Sequence, residues 1–384
     1  MIPIQHRDLE KMAQRHCKAV LSELQFRSFQ DWIEEIVLLK DFKKEYPKKK
    51  KVNFDTVESA KRDKLRQVLL SVNKENKEVI ESYHSFYKEK NSRKYIIFSD
   101  FLAANDEIIG NSGFNPNLGL KTINEELNKI GITQTLEEVL LFTPSQIENL
   151  ASKTGEKNGK LSDLISLYSD FSLANKESFG VLGEKYNAYQ LVEDLNINVC
   201  PYCNRNYIKN LNKNGKRICE LDHFYPKGKY PFLAVSFYNL IPSCKTCNQT
   251  FKKEELVSVN PYAEIEEFNF GLKIKNSKFY YDKGGFCIDY EKAEKALDKN
   301  FTVFHIKDIY DQHKDQILEL IQKQITYPDS YIDELFKKYE GTFFRNKEDV
   351  IRHLSNRIME EENFHLRPLS KLTHDIAKEL GLLD

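Results

Sequence analysis

Cys200 and Cys203 bracket Pro201-Tyr202, and Cys244 and Cys247 bracket Lys245-Thr246. Two residues between thiols let both sulfurs bind one ion in a tight knuckle, and two knuckles complete a tetrahedral four-thiolate set. Such a set suits Zn²⁺ and leaves no position for substrate, so its role is structural. Other readings of these thiols are four ordinary buried cysteines, an iron–sulfur cluster or, for Cys200 and Cys203 alone, a thiol redox pair. Two separate pairs weigh against ordinary core cysteines, and no βαβ pattern surrounds the first pair as a redox fold requires. The remaining cysteines, Cys17, Cys219 and Cys287, read as small core residues, with Cys219 in a strand.

Between and beside the knuckles lie Glu220-Leu221-Asp222-His223, Pro226-Lys227, Tyr238-Asn239 and, directly after the last cysteine, Asn248. Phosphodiester hydrolysis asks for these residue types. Attacking water must lose a proton, and histidine is the usual base near neutral pH. Charge grows on the phosphate and the leaving oxygen, where a hard cation is needed. Mg²⁺ or Mn²⁺ takes oxygen ligands, which Asp222 and Asn248 supply. His223 supplies the base, and Asn239 can hold the loop and orient that histidine. Neighbours on a strand face opposite ways, so Asp222 and His223 share a site only at a strand end or bend. Pro226 and Gly228 make such an ending reasonable. A lone Asp-His pair is more often a structural hydrogen-bonding pair; here the knuckles and Asn239 stand in register with it.

These residues resemble the HNH, or ββα-metal, endonucleases, specifically the zinc-containing branch in which two CxxC pairs bracket the catalytic hairpin. The resemblance covers about 55 residues, through Cys200–Cys203, Leu221–Lys227, Asn239–Cys244 and Cys244–Asn248. It implies His223 as general base, Asp222 and Asn248 as ligands of the catalytic metal, and Asn239 as the central asparagine. It also implies products with 5′-phosphate and 3′-hydroxyl ends. One departure is plain: many relatives carry lysine three residues after the last ligand, where this chain has Phe251, followed by Lys252 and Lys253. More weakly, the chain is similar to HNH effectors of bacterial anti-phage defence, such as the nuclease subunit of Septu-type systems, which acts beside an ATPase. By that analogy an ATPase partner is implied. No G-x-x-x-x-G-K-[ST] loop occurs here, so a nucleotide-driven step must come from elsewhere.

Elements must place these groups. The chain has 384 residues, ample for a core and for two or three domains. Residues 1–151 read as mostly helical, with an amphipathic run from Leu65 to Tyr87 behind a cap at Asp55-Thr56. A helix ends at Ile130 with Gly131 as its cap, another covers Leu136 to Phe142, and Pro144 opens the next. Residues 152–160 read as a loop, and helical periodicity returns over 161–168 and 188–195. Alternation from Phe268 to Tyr290 predicts strands turning at Asn276-Ser277. Helices follow over 307–325, 330–339, 347–361 and 370–380. In the last, Ser370 reads as a capped helix start, which explains Pro368 as well as a phosphate role for His365, Arg367 and Lys371 would. The expected fold is α+β: a mostly helical protein, residues 1–195 and 263–384, around an HNH module at 196–262. The lysine block Lys48–Lys51 reads as exposed loop.

Composition narrows the function further. Lys plus Arg and Asp plus Glu both number 58, so a general nucleic-acid coat is not indicated. From Cys200 to Lys253, however, ten basic residues face two acids, Glu220 and Asp222. Lys227, Lys229, Lys245, Lys252 and Lys253 are the candidate phosphate contacts of that segment. No long apolar run or leader pattern occurs, so a cytoplasmic protein is expected. The leading expectation is an endonuclease for nucleic acid, DNA in the first instance, with structural Zn²⁺ and catalytic Mg²⁺ or Mn²⁺. The alternative is a catalytically inactive zinc-binding adaptor for nucleic acid or protein.

Overall fold

The computed structural model describes residues 1–4, 7–36, 96–97, 115–157, 160–172, 181–182, 186–210, 218–264, 268–355 and 360–383. The amphipathic run from Leu65 to Tyr87, its cap at Asp55-Thr56 and the block Lys48–Lys51 lie outside them. The fold is α+β and mostly helical, with three two-stranded antiparallel sheets among the described residues. No helix there is long and apolar enough to cross a membrane.

The chain forms two compact units. The first to be described comprises Lys11–Leu141 and Lys160–Gln190. It holds most of the helix Leu9–Ile36, the helices Leu118–Lys129, Leu136–Leu141 and Ser162–Ser172, and a short pair of strands, β1 (Ile96–Ile97) with β2 (Val181–Leu182). Its apolar stripes meet in a core that includes Val20, Ile123, Leu127, Leu164 and Phe171. Ile130 caps the helix Leu118–Lys129, and Gly131 follows at φ +88°, a left-handed position that a side chain rarely adopts. Arg27 and Asp170 form a 2.6 Å ion pair between two of these helices.

The other unit comprises Met1–Glu10, Phe142–Gly159 and Leu191–Asp384. Pro144 opens the helix Pro144–Thr154, with the Gln146 side chain accepting from the Thr143 amide at 2.9 Å. That helix runs into the segment expected as loop and stops at Gly155, φ +67°. Two hairpins follow along the chain. β3 (Glu220–His223) pairs with β4 (Leu240–Ser243) in the register Glu220↔Ser243, Leu221↔Pro242, Asp222↔Ile241, His223↔Leu240. β5 (Gly271–Ile274) pairs with β6 (Phe286–Asp289). The second hairpin differs from the expected turn at Asn276-Ser277: Lys275 to Gly285 form one long connection, and the second strand begins only at Phe286. Its aromatic residues, which raise strand propensity, are used in the turn instead.

Helices complete this unit at Glu291–Val303, Ile306–Asp311, Lys314–Thr326, Asp329–Tyr339, Lys347–Ser355 and Ser370–Glu379. The first was not legible as a helix beside the aromatic run before it. The single helix expected over 307–325 is two, separated by Gln312 and His313, the backbone leaving helical geometry at His313. Ser370 is the first residue inside its helix, behind Leu369 in the left-handed region. Its hydroxyl donates to Phe364 O at 2.6 Å instead of capping. The core gathers fully buried rings, Tyr202, Phe232, Phe237, Phe270, Phe304 and Tyr310. Each contributes about 1.5–3 kcal/mol on removal from water.

Candidate active site and metal centre

The four sulfurs of Cys200, Cys203, Cys244 and Cys247 lie within 4.8 Å of one another, all on buried residues. It is the one such ligand group among the described residues. The Cys247 amide donates to Cys244 Sγ at 3.5 Å, as a knuckle requires, and Asn206 Nδ2 donates to the same sulfur at 3.3 Å. Donors aimed at sulfur favour thiolate. Hydrogen bonding from Cys200, Cys203 and Cys247, and to a smaller extent from Asn206, holds Cys244 far below the usual thiol range; Cys203 is also lowered, whereas its neighbours in the cluster raise Cys247. Burial raises Cys200. The soft donors, their closeness and their burial fit one zinc ion, which this group could hold. Cys219 is buried too, in the bend just before β3 and not in a strand, with its thiol toward Ser243 O at 3.8 Å.

A tyrosine inside the first knuckle carries the structure onward. Tyr202 stacks on Phe304 with ring centres 4.4 Å apart and donates its hydroxyl to Asp222 Oδ2 at 2.7 Å. The other side of the Asp222 carboxylate meets the Lys252 ammonium, 3.2 Å from Oδ1 and 3.1 Å from Oδ2. Lys252 also donates to His223 O at 2.7 Å and is fully buried. Burial raises the Asp222 carboxyl above its usual value, against the pull of Lys252 and Tyr202. Burial likewise lowers Lys252, against the pull of Asp222. Each partner offsets part of the other's lost hydration.

Lys252 reaches Asp222 because the segment after the second knuckle, Thr246–Lys252, is wound as a π-helix, closed by Lys253 N donating to Asn248 O at 2.8 Å. A π-turn advances less per residue around its axis than an α-turn. The fourth residue after Asn248 therefore comes round to the face that the third would occupy in an α-helix. Phe251, displaced from that face, packs on His305 at 5.1 Å. Lys252 was expected among the phosphate-contacting lysines; it faces inward, and its charge is taken by a carboxylate. Lys245 and Lys253 are exposed, while Lys227 and Lys229 are half-buried, Lys229 reaching Glu156 at 3.6 Å.

His223 is the last residue of β3, directly after Asp222, and both residues are buried. The imidazole Nε2 lies 2.9 Å from Ala234 O. A carbonyl only accepts, so Nε2 carries the proton and the ring's lone pair sits on Nδ1. Burial, then the nearby Lys227 and Lys252, push His223 down from 6.5 to about 3, against the Ala234 bond. Asn239 braces the loop that carries this acceptor. Its Oδ1 accepts from Tyr225 N at 2.8 Å, and its Nδ2 donates to Tyr225 O at 3.1 Å and Leu233 O at 2.9 Å.

Asn248 is joined to Glu220, not to Asp222: its Nδ2 donates to Glu220 Oε2 at 2.9 Å, and Gln249 Nε2 donates to Oε1 at 2.7 Å. Glu220 and Asp222 alternate onto one face of β3, so three oxygen-bearing side chains flank the start of the π-helix. Their chemistry fits a hard cation in kind. Asp222 keeps room for one only on the lone pairs that Tyr202 and Lys252 leave. Sequence reasoning missed Tyr202, Glu220 and the inward role of Lys252. Tyr202 lies between two knuckle cysteines and Glu220 two residues before Asp222, positions that strand alternation and the knuckle could have flagged.

The chain is 38% identical over 106 residues to Septu protein PtuB of Bacillus thuringiensis, across 26% of this chain and 39% of the relative. It is 26% identical over 155 residues to Protein ea31 of Escherichia phage lambda, across 37% of this chain and 48% of the relative. The chain thus matches less than half the length of either. No protein-family model matches it, and no solved structure does.

Three outcomes are expected. Metal analysis of the purified chain finds one zinc per molecule, and Cys247→Ser loses it with a lower melting temperature; full stability without zinc would refute the centre. Lys252→Met strands the buried Asp222 carboxylate and costs about 3–5 kcal/mol in denaturant unfolding. Tyr202→Phe costs about 1–3 kcal/mol, and neutral behaviour of both would show that the carboxylate is not sealed. By NMR the His223 ring stays neutral from pH 8 to pH 5. Because its folded value lies below the unfolded one, the unfolded chain alone takes a proton as pH falls below about 6.5. The stability it contributes at neutral pH is then lost toward pH 3, and His223→Ala makes that fall shallower; titration of His223 near 6.5 would contradict its burial.

Proposed function

We propose that the chain is a metal-dependent HNH endonuclease that hydrolyses phosphodiester bonds in nucleic acid, DNA first, as an effector of anti-phage defence. The observation that carries the reading is local. One hairpin with its connecting loop and one helix turn, rooted in a four-thiol cluster, hold Asp222, His223, Asn239 and Asn248, the three residue types that the chemistry needs. Similarity to Septu protein PtuB supports the defence role. An ATPase partner follows only by analogy with Septu-type systems. Residues 196–262 serve as the catalytic module in this reading.

Asp222 and Asn248, with Glu220 beside them, would hold Mg²⁺ or Mn²⁺. Bound there, the ion supplies positive charge for the phosphate and the leaving oxygen. His223 takes the proton of the attacking water on Nδ1, while Ala234 O fixes the tautomer through Nε2. A neutral ring is ready to accept. The arriving phosphate offsets Lys227 and Lys252, which favours the charged ring as the proton moves. Asn239 keeps Ala234 in place through its bonds on Leu233 and Tyr225. Lys245 and Lys253, exposed at the two ends of the π-helix, and half-buried Lys227 and Lys229 attract the polyanion. Zinc at the cysteines acts by position: Cys247 is a ligand and Asn248 the next residue.

One observation favours the second reading, a zinc-stapled adaptor that binds without cutting. The Asp222 carboxylate is already engaged by Tyr202 and Lys252. The readings separate in a plasmid-cleavage assay with added Mg²⁺ or Mn²⁺. The nuclease reading expects nicking that needs the added metal and falls at least about a hundredfold in His223→Ala, with zinc content unchanged. Cleavage at the wild-type rate by His223→Ala would sink the base assignment. Absence of cleavage with and without an ATPase partner, zinc still bound, would leave the adaptor.

A further inference from the structure

The long turn between β5 and β6 is unused by the site above. From Lys275 to Gly285 it carries Lys275, Lys278, Phe279, Tyr280, Tyr281 and Lys283, with Asp282 its one acid. Lysine-rich turns are usually only solvated, and three observations set this one apart. It is built to one shape: Lys275 N donates to Gly285 O, Asp282 N to Lys278 O and Gly285 N to Asp282 O, at 2.8–2.9 Å. Asn276 and Asp282 side chains accept further turn amides at 3.0 and 2.9 Å. Gly285 lies so close to the Phe279 backbone that a Cβ there would stand 2.5 Å from it.

Second, its rings face out. Tyr280 is 46% exposed and Tyr281 54%, edge to face at 4.8 Å, with half-buried Phe279 behind them. Gln322 of the helix Lys314–Thr326 donates to Tyr280 O at 3.2 Å and steadies the tip. Third, the charges are unspent. Lys273, in the strand, is tied to Asp289 at 3.1 Å, whereas Lys275, Lys278 and Lys283 have no ion pair among the described residues. Asp282 is engaged with the turn's own backbone. A protein interface centre is poor in charge; here cations flank three consecutive rings. Duplex bases are stacked away from such rings, while unpaired bases offer a face to each.

We propose that the Lys275–Gly285 turn is a binding site for single-stranded nucleic acid, in which Tyr280 and Tyr281 stack on bases and Lys275, Lys278 and Lys283 neutralise phosphates. The site does not depend on cleavage elsewhere in the chain. A rigid, ring-bearing tip binds with little ordering cost. Sequence preference is weak, because every base presents a face.

The test is fluorescence anisotropy of a labelled oligothymidylate with the full chain, in buffer without Mg²⁺ or Mn²⁺. Binding is the readout, so a chain that never cuts is tested equally. Tyr280→Ala/Tyr281→Ala is expected to weaken binding at least about tenfold, with melting temperature and zinc content unchanged. Tyr280→Phe/Tyr281→Phe, which keeps both ring faces, binds as wild type. Lys275→Gln/Lys278→Gln/Lys283→Gln leaves the rings and lowers the salt dependence by about 2 log units per log unit of salt. The proposal is overturned if the wild-type chain does not bind, as for a protein-docking tip. It is equally overturned if the alanine pair binds unchanged, or if that pair weakens a fully paired duplex to the same extent.

Discussion

Residues 204 to 243 leave one cysteine knuckle and return at the other, so closing the four-sulfur cluster closes the loop that holds Asp222, His223 and Asn239 and anchors Asn248 just beyond it. Four thiols crowded into a buried space repel as thiolates and are poorly solvated as a group, and one divalent cation relieves both. Loop closure lowers the entropy of the open chain. It also imposes direction: Cys247 sits in the first turn of the π-helix, and Cys200 and Cys203 flank Tyr202. The cluster therefore reaches the hairpin from both its ends.

Asp222 is where those two arms meet. The hydroxyl of Tyr202 comes from the first knuckle and the ammonium of Lys252 from the helix after the second. A buried carboxylate tolerates neither vacancy, so each arm constrains the other. The same bonds create a tension in the proposed chemistry. An oxygen sealed for stability is less free to bind a cation than Glu220, which is half-buried and bonded only to amide donors. A metal drawn to this edge of the hairpin would meet Glu220 and Asn248 together, with Asp222 behind them.

His223 follows a different logic. It lies deep enough that charge is disfavoured, and takes its orientation from a carbonyl in a loop pinned by Asn239. As the proposed base, it would wait neutral. Its proton affinity depends on what arrives beside Lys227 and Lys252, which couples protonation to the approach of an anion.

Much was legible in the sequence. The spacing of Cys200, Cys203, Cys244 and Cys247 determined the cluster, because a knuckle is a local device that two intervening residues suffice to specify. Helices that end at glycine or begin at proline, such as those stopping before Gly131 and starting at Pro144, were equally local. What sequence could not determine were choices set by distant partners. The aromatic run after Phe268 has strand propensity throughout, yet only four of its residues pair on each side, because Gly285 folds back on Phe279. Lys252 reads as a surface cation in any local window. Only the tertiary structure turned it inward, through the π-winding that aims it and the buried carboxylate that receives its charge.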